Sequence, residues 1–210
     1  MRYVDRAVGS ALPPKLLGTY ELELHPWLEE IIGTDYREIR VVGCAEGYYA
    51  VGLARRLPGC RVLAHDLDRS VPPLLKRLAV INEVADRVEF RGEWSAASVA
   101  SEPAGRTLIV CDIEGAEAEL LDPVAMPLLR RSDILVEVHD AAKGTIETIL
   151  RERFAATHRI RRAIAIPRTL GDIEVPLQRR FRRRTLERSI DEGRKYGLTW
   201  LFMTTDETAT

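Results

Sequence analysis

The sequence predicts an α/β fold in which a mostly parallel, doubly wound sheet is covered by helices on both faces. From about residue 37 onward, short apolar and β-branched runs alternate with segments of helical periodicity, a pattern typical of such a sheet. The length of 210 residues suits one domain that can bury a sizeable core without disulfides or structural metals. We therefore expect residues 1–36 to form a helical N-terminal cover and residues 37–210 to form a single compact domain.

Seven strands are predicted, the last of them antiparallel to the others. They are Glu38–Val42, Arg61–His65, Arg87–Arg91, Thr107–Cys111, Ile134–Val138, Ile160–Ile166 and Leu198–Thr204. A helix is predicted at Tyr48–Leu57, where Pro58-Gly59 ends it. Another begins after Ser70, because Pro72 and Pro73 are tolerated in a first turn. Further helices are predicted at His25–Ile32, about Lys143–Phe154 and near Pro176–Arg194.

Composition excludes several protein classes. No stretch approaches the ~20 apolar residues that span a bilayer, and the N-terminus lacks the apolar region of a signal peptide. The three cysteines, Cys44, Cys60 and Cys111, have no C-x-x-C spacing and fit neither a disulfide framework nor a zinc site. A reducing, cytoplasmic location is the expectation, without membrane association.

Basic residues concentrate late in the chain. Residues 151–195 hold 14 Arg or Lys against 6 Asp or Glu, and the excess peaks at residues 179–184. Such a run can mark nucleic-acid binding. A solvated helix face that pairs with acidic neighbours is the favoured interpretation.

The loop after the first strand reads Gly43-Cys44-Ala45-Glu46-Gly47-Tyr48. Its G-x-A-x-G spacing lets backbone pass close to a ligand. A dinucleotide site would require a glycine where Tyr48 stands, which disfavours an NAD-linked oxidoreductase. Taken alone, the loop fits an ordinary tight turn equally well.

Polar residues follow the next two predicted strands. Asp66 comes about 20 residues after the glycines, where a carboxylate can accept hydrogen bonds from ribose hydroxyls. The third strand leads into Gly92-Glu93-Trp94, where a polar side chain could meet an exocyclic amine and an aromatic ring could cover a purine. Ligands of open α/β sheets bind outside the carboxyl ends of the strands, so these loops belong to the predicted site.

The fourth and fifth strands end in acidic sequences. Cys111 is followed by Asp112-Ile113-Glu114-Gly115-Ala116-Glu117, and carboxylates this close raise one another's pKa, which suits proton transfer or a bound cation. The fifth strand ends Glu137-Val138-His139-Asp140, and period-2 alternation places Glu137 and His139 on one face.

These motifs together resemble a class I S-adenosylmethionine-dependent methyltransferase with a Rossmann-like sheet. The D-x-E-G-x-E segment followed by V-E-x-H resembles the FkbM-like branch, and the likeness covers roughly residues 37–140. The resemblance implies that the glycine loop passes beneath the methionine part of the cofactor, that Asp66 binds the ribose, and that Asp112 faces the sulfonium. The cofactor-binding residues so predicted are Gly43, Cys44, Ala45, Glu46, Gly47, Tyr48, Asp66, Leu67, Gly92, Glu93, Trp94 and Asp112.

The resemblance has two departures. Val41 stands where an acidic residue is usual, and Ala45 replaces the middle glycine. Glu46 or the Asp112 segment could substitute for the missing acid. We expect these two departures to affect the affinity for the cofactor and to leave the fold unchanged.

The resemblance implies methylation of a hydroxyl on a small molecule. His139 is the predicted general base because its ordinary pKa is near ~6.5, and Asp112 or Glu137 would orient it. Alternatives remain: RNA as acceptor through the Arg-rich segment 179–188, a module that binds the cofactor without catalysis, and a divalent metal held by Asp112, His139 and Asp140. The metal is not favoured, and homo-oligomerisation stays undecided. Possible acceptor-pocket residues are Tyr20, His25, Trp27 and His158.

Overall fold

The computed structural model describes residues 1–96, 105–140, 144–173, 183–193 and 198–205. Its helices are α1 (Leu12–Leu17), α2 (His25–Ile32), α3 (Tyr48–Arg56), α4 (Val71–Ile81), α5 (Glu117–Leu120), α6 (Thr145–Phe154) and α7 (Arg183–Ile190). Its strands are β1 (Glu38–Val42), β2 (Arg61–His65), β3 (Val88–Gly92), β4 (Thr107–Cys111), β5 (Ser132–Val138), β6 (His158–Ile164) and β7 (Thr199–Thr205). Short 3₁₀ turns lie at Leu22–Leu24, Pro127–Arg131 and Leu170–Asp172.

The seven strands form one sheet in the order β3-β2-β1-β4-β5-β7-β6. Strands β1 to β5 pair in parallel, whereas β7 lies antiparallel between β5 and β6. The prediction of a mostly parallel sheet with an antiparallel last strand is confirmed. The chain order reverses between β1 and β4, which is where a doubly wound sheet opens a ligand crevice at its carboxyl edge.

The predicted elements match closely where apolar runs are strong. Strands β1, β2 and β4 and helix α2 have the predicted bounds, while β3, β5, β6 and β7 shift by one or two residues at one or both ends. Ser70 flanks α4 as predicted, but its side chain makes no capping hydrogen bond. Part of the predicted helix Pro176–Arg194 is present as α7, and residues 174–182 and 194–197 lie outside the described residues.

Two apolar cores sandwich the sheet. One face packs against α3, α4 and the N-terminal cover, and the other packs against α6 and the loop after β4. Strands β4 and β5 are buried along their whole length, as central parallel strands are expected to be. The carboxyl ends of these strands are thereby held on a rigid base.

The N-terminal cover packs on the first of these faces and continues to α7. Trp27 lies 5.8 Å from the Phe202 ring, and Leu17 joins a small apolar cluster with Leu186 and Ile190 of α7. Arg168 ties the cover to the β6–β7 connection through buried ion pairs with Glu23 and Glu192. Among the described residues, no helix combines the length and the hydropathy needed to cross a membrane.

Candidate functional site

The loops after β1 and β4 are in direct contact at the carboxyl edge. Gly43 has φ of +77°, and a Cβ there would lie 1.7 Å from the carbonyl oxygen of Asp112. The Asp112 N–H donates to the Val42 carbonyl at 2.9 Å. Glycine at position 43 is therefore required for the β1 loop to meet Asp112.

The β1 loop is also tied to the end of β2. The Ala45 N–H donates to Asp66 Oδ2 at 2.9 Å, and the Asp68 N–H donates to Oδ1 at the same distance. Ala45 itself has φ of +45°, a left-handed conformation that costs a residue with a Cβ roughly 1–2 kcal/mol. Alanine at this position is thus accommodated with strain in the backbone.

Glu46 is fully buried and faces the N-terminal cover. Its carboxylate accepts hydrogen bonds from Tyr3 Oη, from the Val8 N–H at 2.9 Å and from Lys15 Nζ at 2.5 Å. Burial raises the pKa of Glu46, but the Lys15 charge and these hydrogen bonds outweigh burial and hold the pKa below 4.5. The carboxylate anchors the cover on the loop, so Glu46 is not a substitute for the acid that Val41 replaces.

Aromatic side chains surround the Lys15–Glu46 pair. Lys15 Nζ lies 4.8 Å from the centre of the Tyr20 ring and 5.2 Å from that of Tyr48. The Tyr48 ring meets Tyr20 and Tyr49 edge to face. Cys44 is buried, and burial raises the pKa of its thiol. The Cys44 and Glu46 side chains are therefore turned away from any ligand, whereas Ala45 and Tyr48 are only half-buried.

The loops after β2 and β3 present an exposed surface beside Asp66. Leu67 is 77% exposed, and Glu93 is exposed as well. Gly92 has φ of +72° with open space around it. Trp94 does not line this surface: it is 4% exposed and packs edge to face on the buried His65 ring at 5.1 Å. Its ring belongs to the core here, and a contact of Trp94 with adenine stays a prediction.

The ends of β4 and β5 converge on one imidazole. His139 Nδ1 lies 2.8 Å from Glu117 Oε1, and that same oxygen accepts the Gly115 N–H at 3.0 Å. His139 Nε2 lies 3.6 Å from each of three further carboxylate oxygens. These belong to Asp112, Glu114 and Glu137. We call these five residues the His139 cluster.

The His139 cluster changes the protonation of its imidazole. Burial by itself lowers the pKa of His139. The hydrogen bond to Glu117 and the charges of the surrounding carboxylates outweigh burial and raise the pKa to about 9. The surrounding charges therefore favour the protonated imidazole over the free base that an ordinary pKa would give, and the role of His139 as general base stays a prediction.

Three members of the cluster are arranged as metal ligands. One ligand atom from each of Asp112, Glu114 and His139 lies within 4.8 Å of the others. Asp140, which the sequence suggested as a ligand, instead accepts the Ile146 N–H at 3.0 Å at the start of α6. The structure thus brings together two of the three suggested ligands and adds Glu114.

Sequence reasoning did not single out Glu114 and Glu117 individually. Glu117 begins α5, which turns its side chain back toward β5, and Glu114 has a left-handed φ of +58° that places its carboxylate beside His139. The sequence indicated Glu114 and Glu117 only through the concentration of acidic residues in the segment Asp112–Glu117.

The suggested acceptor-pocket residues fall in different places. Tyr20 packs on Tyr48, and His25 Nε2 lies 3.3 Å from the Tyr20 carbonyl. Trp27 packs in the core against Phe202. His158 is buried, with Nε2 2.8 Å from the Ser132 carbonyl at the opposite edge of the sheet. Tyr20 alone is close to the β1 loop.

The Arg-rich segment is described in part. Within α7, Arg184 and Arg188 are exposed, and Arg183 pairs with Glu187 at 2.8 Å. Residues 179–182 lie outside the described residues. Nucleic-acid binding stays a prediction.

No family model matches the chain, and no curated protein sequence matches it. Solved structures do share its fold. The O-methyltransferase from Bacillus cereus in complex with SAH has a TM-score of 0.53 at 16% identity, over 91% of this chain and 80% of that one. The O-methyltransferase TomG from Streptomyces achromogenes, in complex with SAM, has a TM-score of 0.55 at 16% identity, over 92% and 79%. The human methyltransferase 10 domain containing protein has a TM-score of 0.57 at 13% identity, over 95% and 84%. The chain therefore has the Rossmann-like fold of these methyltransferases.

Proposed function

We propose that this protein is an S-adenosylmethionine-dependent methyltransferase that methylates a hydroxyl group of a small molecule. One observation carries the proposal. In a methyltransferase fold, the Gly43–Gly47 loop is tied to Asp66 on one side and contacts Asp112 on the other. A cofactor-binding loop, a carboxylate for ribose and an acidic reaction centre therefore lie along one edge.

The residues at this edge fit the cofactor. The Ala45 N–H fixes the Asp66 carboxylate, which keeps lone pairs for ribose hydroxyls. The exposed Leu67 side chain offers an apolar surface to a purine ring, and Glu93 offers an acceptor to an exocyclic amine. Glu46 and Trp94 would act indirectly, by holding the cover and the core.

When bound, S-adenosylmethionine supplies an electrophilic methyl group, so the protein mainly aligns the acceptor and excludes water. Asp112 follows β4 directly beside the β1 loop, and its side chain is 29% exposed. Because the surrounding carboxylates favour the protonated form of His139, we assign the Asp112 carboxylate as the group that accepts the proton of the acceptor hydroxyl. His139 Nε2 lies 3.6 Å from that carboxylate and 3.6 Å from the buried Glu137 carboxylate.

A small acceptor fits the position of the cover. The N-terminal cover is anchored on the β1 loop through the buried Lys15–Glu46 pair, and Tyr20 and Tyr48 close over the same region. An N-terminal cover in this position would exclude water from the methyl transfer. A polymer acceptor would have to displace the cover, whereas a small molecule would not.

Cofactor binding is tested by calorimetric titration of the full chain with S-adenosylmethionine. We expect binding by the wild type and at least tenfold weaker binding by Asp66→Asn, since the neutral amide is a poorer acceptor for hydroxyls. The matched control is Asp68→Asn, an exposed neighbour that accepts the Ser70 N–H. Its affinity should equal that of the wild type. No binding by the wild type at millimolar cofactor would overturn the proposal and favour a role without this cofactor.

Turnover is tested with a set of hydroxylated small molecules by following release of S-adenosylhomocysteine. Asp112→Asn should lower kcat at least a hundredfold while cofactor affinity changes little, because loss of proton transfer affects the chemical step. Equal activity in wild type and variant would remove Asp112 from catalysis.

A further inference from the structure

We propose that the acceptor carries a primary ammonium group, which binds between the N-terminal cover and the segment that connects β6 to β7. The groups that would hold the ammonium are the Glu23 carboxylate and the Thr19 hydroxyl, beside the ion pair of Arg168 with Glu192. We call these four residues the cover subsite. That its ligand is the methyl acceptor rests on the proposed function, whereas ammonium binding by the cover subsite can be measured without it.

The cover subsite is built around one guanidinium group. Arg168 Nη2 lies 2.7 Å from Glu23 Oε2 and 2.6 Å from Glu192 Oε1. Arg168 Nε donates to the Thr19 carbonyl at 2.9 Å, and the Glu21 N–H donates to Glu192 Oε1 at 3.0 Å. The side chains of Arg168, Glu23 and Glu192 are 6%, 4% and 5% exposed. These contacts hold the cover against the β6–β7 connection in one arrangement.

Two oxygen atoms of the cover subsite have no hydrogen-bond partner among the described residues. They are Glu23 Oε1 and Thr19 Oγ1. Thr19 is fully buried, and Glu23 Oε1 belongs to the carboxylate whose other oxygen accepts from Arg168, so this atom lies within the subsite. A buried carboxylate oxygen without a donor is costly, because it has lost its contacts with water and gained none in return. Both atoms therefore indicate a donor that a ligand supplies.

The charge of the cover subsite indicates the kind of donor. A carboxylate oxygen forms stronger hydrogen bonds with a charged donor than with a neutral one. A primary ammonium group is compact and has three N–H donors, enough for Glu23 Oε1 and Thr19 Oγ1 together. A quaternary ammonium group has the charge but no donor. The two oxygens thus favour a primary ammonium group over a quaternary one and over a neutral hydroxyl.

The cover subsite lies beside the proposed cofactor loop. Burial raises the pKa of the Tyr48 hydroxyl, and the charges of Glu21 and Glu192 raise it further. The negative charge of this region therefore reaches the first residue of α3, directly after Gly47. Lys15 Nζ lies 5.2 Å from the centre of the Tyr48 ring, so this ring already packs against one ammonium group. A ligand of the cover subsite would be next to the loop, where a methyl acceptor has to bind.

The experiment titrates the full chain by calorimetry with hydroxylated amines and their counterparts, with and without S-adenosylhomocysteine. Ethanolamine is compared with propanol and choline, and para-hydroxybenzylamine with para-ethylphenol. We expect at least one amine to bind tenfold more tightly than its neutral counterpart, and choline to bind more weakly than ethanolamine because choline has no N–H donor. If no amine of the set binds more tightly than its neutral counterpart, the inference is overturned and water is the partner of both oxygens.

Glu23→Gln tests the carboxylate. This variant should weaken amine binding at least tenfold and leave the binding of para-ethylphenol unchanged, since only a charge is lost. Glu29→Gln is the matched control. Glu29 lies in α2 of the same cover, its side chain is 65% exposed, and its substitution removes the same charge. Its amine affinity should equal that of the wild type.

Thr19→Val separates a ligand contact from a structural role. Valine has the shape of threonine and no hydroxyl that could be left without a partner, so the free energy of unfolding should stay equal or rise. Amine affinity should nevertheless fall at least threefold. This variant also covers the case in which Glu23→Gln does not fold. Unchanged amine affinity in each of the two variants that folds would overturn the inference.

Turnover separates this inference from the proposed function. Glu23→Gln should raise KM for the amine and change kcat less than threefold, because Glu23 would hold the acceptor and take no part in proton transfer. Cofactor binding with equal turnover of amines and neutral counterparts overturns the inference and leaves the methyltransferase proposal standing. Amine binding by the wild type without cofactor binding does the reverse.

Discussion

Two strand ends on the same edge of the sheet bury charge in opposite arrangements. After β1, one carboxylate, that of Glu46, faces three donors from Tyr3, Val8 and Lys15. After β5, one imidazole, that of His139, faces four carboxylates. The first set has its charge and hydrogen bonds matched, whereas the second gathers acid around a single cationic group.

The difference separates a structural role from a functional one. A buried ion pair whose hydrogen bonds are all made holds elements together and has nothing left to bind. Like charges held close cost free energy, so a protein that gathers carboxylates around one imidazole has a use for a proton or a cation there. We therefore expect substitutions at the first set to change stability and substitutions at the second to change binding.

The largest effect is expected where the two strand ends meet. Gly43→Ala would place a Cβ 1.7 Å from the Asp112 carbonyl oxygen at a φ of +77°. Left-handed strain and overpacking together should cost about 4 kcal/mol of unfolding free energy. The measurement is urea unfolding, with cofactor affinity measured on whatever remains folded.

Gly52→Ala is the control for that variant. Gly52 lies within α3 with open space around its Cβ position. Alanine there should stabilise the protein by roughly 0.5–1 kcal/mol. A Gly43→Ala variant as stable as Gly52→Ala would show that the β1 and β4 loops do not depend on each other.

A smaller loss is expected from the anchor of the N-terminal cover. Glu46→Gln leaves the buried Lys15 ammonium without its counter-charge and should cost about 3 kcal/mol at pH 7. The folded-state pKa of Glu46 lies below its ordinary value of 4.5. The carboxylate's contribution is therefore full above pH 4.5 and declines as the pH falls through the lower folded value.

Urea unfolding of wild type and Glu46→Gln between pH 3 and 7 measures this difference. The stability gap between the two proteins should narrow toward acid pH. A gap that stays constant would mean that the charge of Glu46 does not hold the cover.

Much of the fold could be predicted because its signals are local. The runs in β1, β2 and β4 are rich in apolar and β-branched residues, so the sequence indicates where these strands end and where the following loops begin. Period-2 alternation correctly placed Glu137 beside His139. These features depend on neighbours within a few residues.

The parts that could not be predicted depend on distant residues. The partners of Glu46 come from residues that precede it by 31 to 43 positions. Trp94 turns into the core because His65 of β2 offers a ring to pack on, which the sequence near Trp94 does not show. The pKa of His139 rises because the carboxylates of Glu117, Glu137 and Asp112 act on it, whereas the residue type alone predicts only the ordinary pKa of histidine.

The smallest expected change in stability comes from a substitution of Glu114. Whether this substitution stabilises or destabilises the protein tests the contrast between the Glu46 contacts and the His139 cluster. Glu114 holds a left-handed φ of +58° on an exposed side chain. Glu114→Gly should relieve that strain and stabilise the protein by roughly 0.5–1 kcal/mol, since glycine adopts this conformation freely. The same variant removes one of the carboxylates beside His139 Nε2, so turnover should fall. A residue that costs stability and contributes to turnover belongs to a functional site, because strain persists where it serves function. Urea unfolding and the turnover assay of one preparation measure both effects, and a Glu114→Gly variant that is less stable with unchanged turnover would place Glu114 with Glu46 as a structural residue.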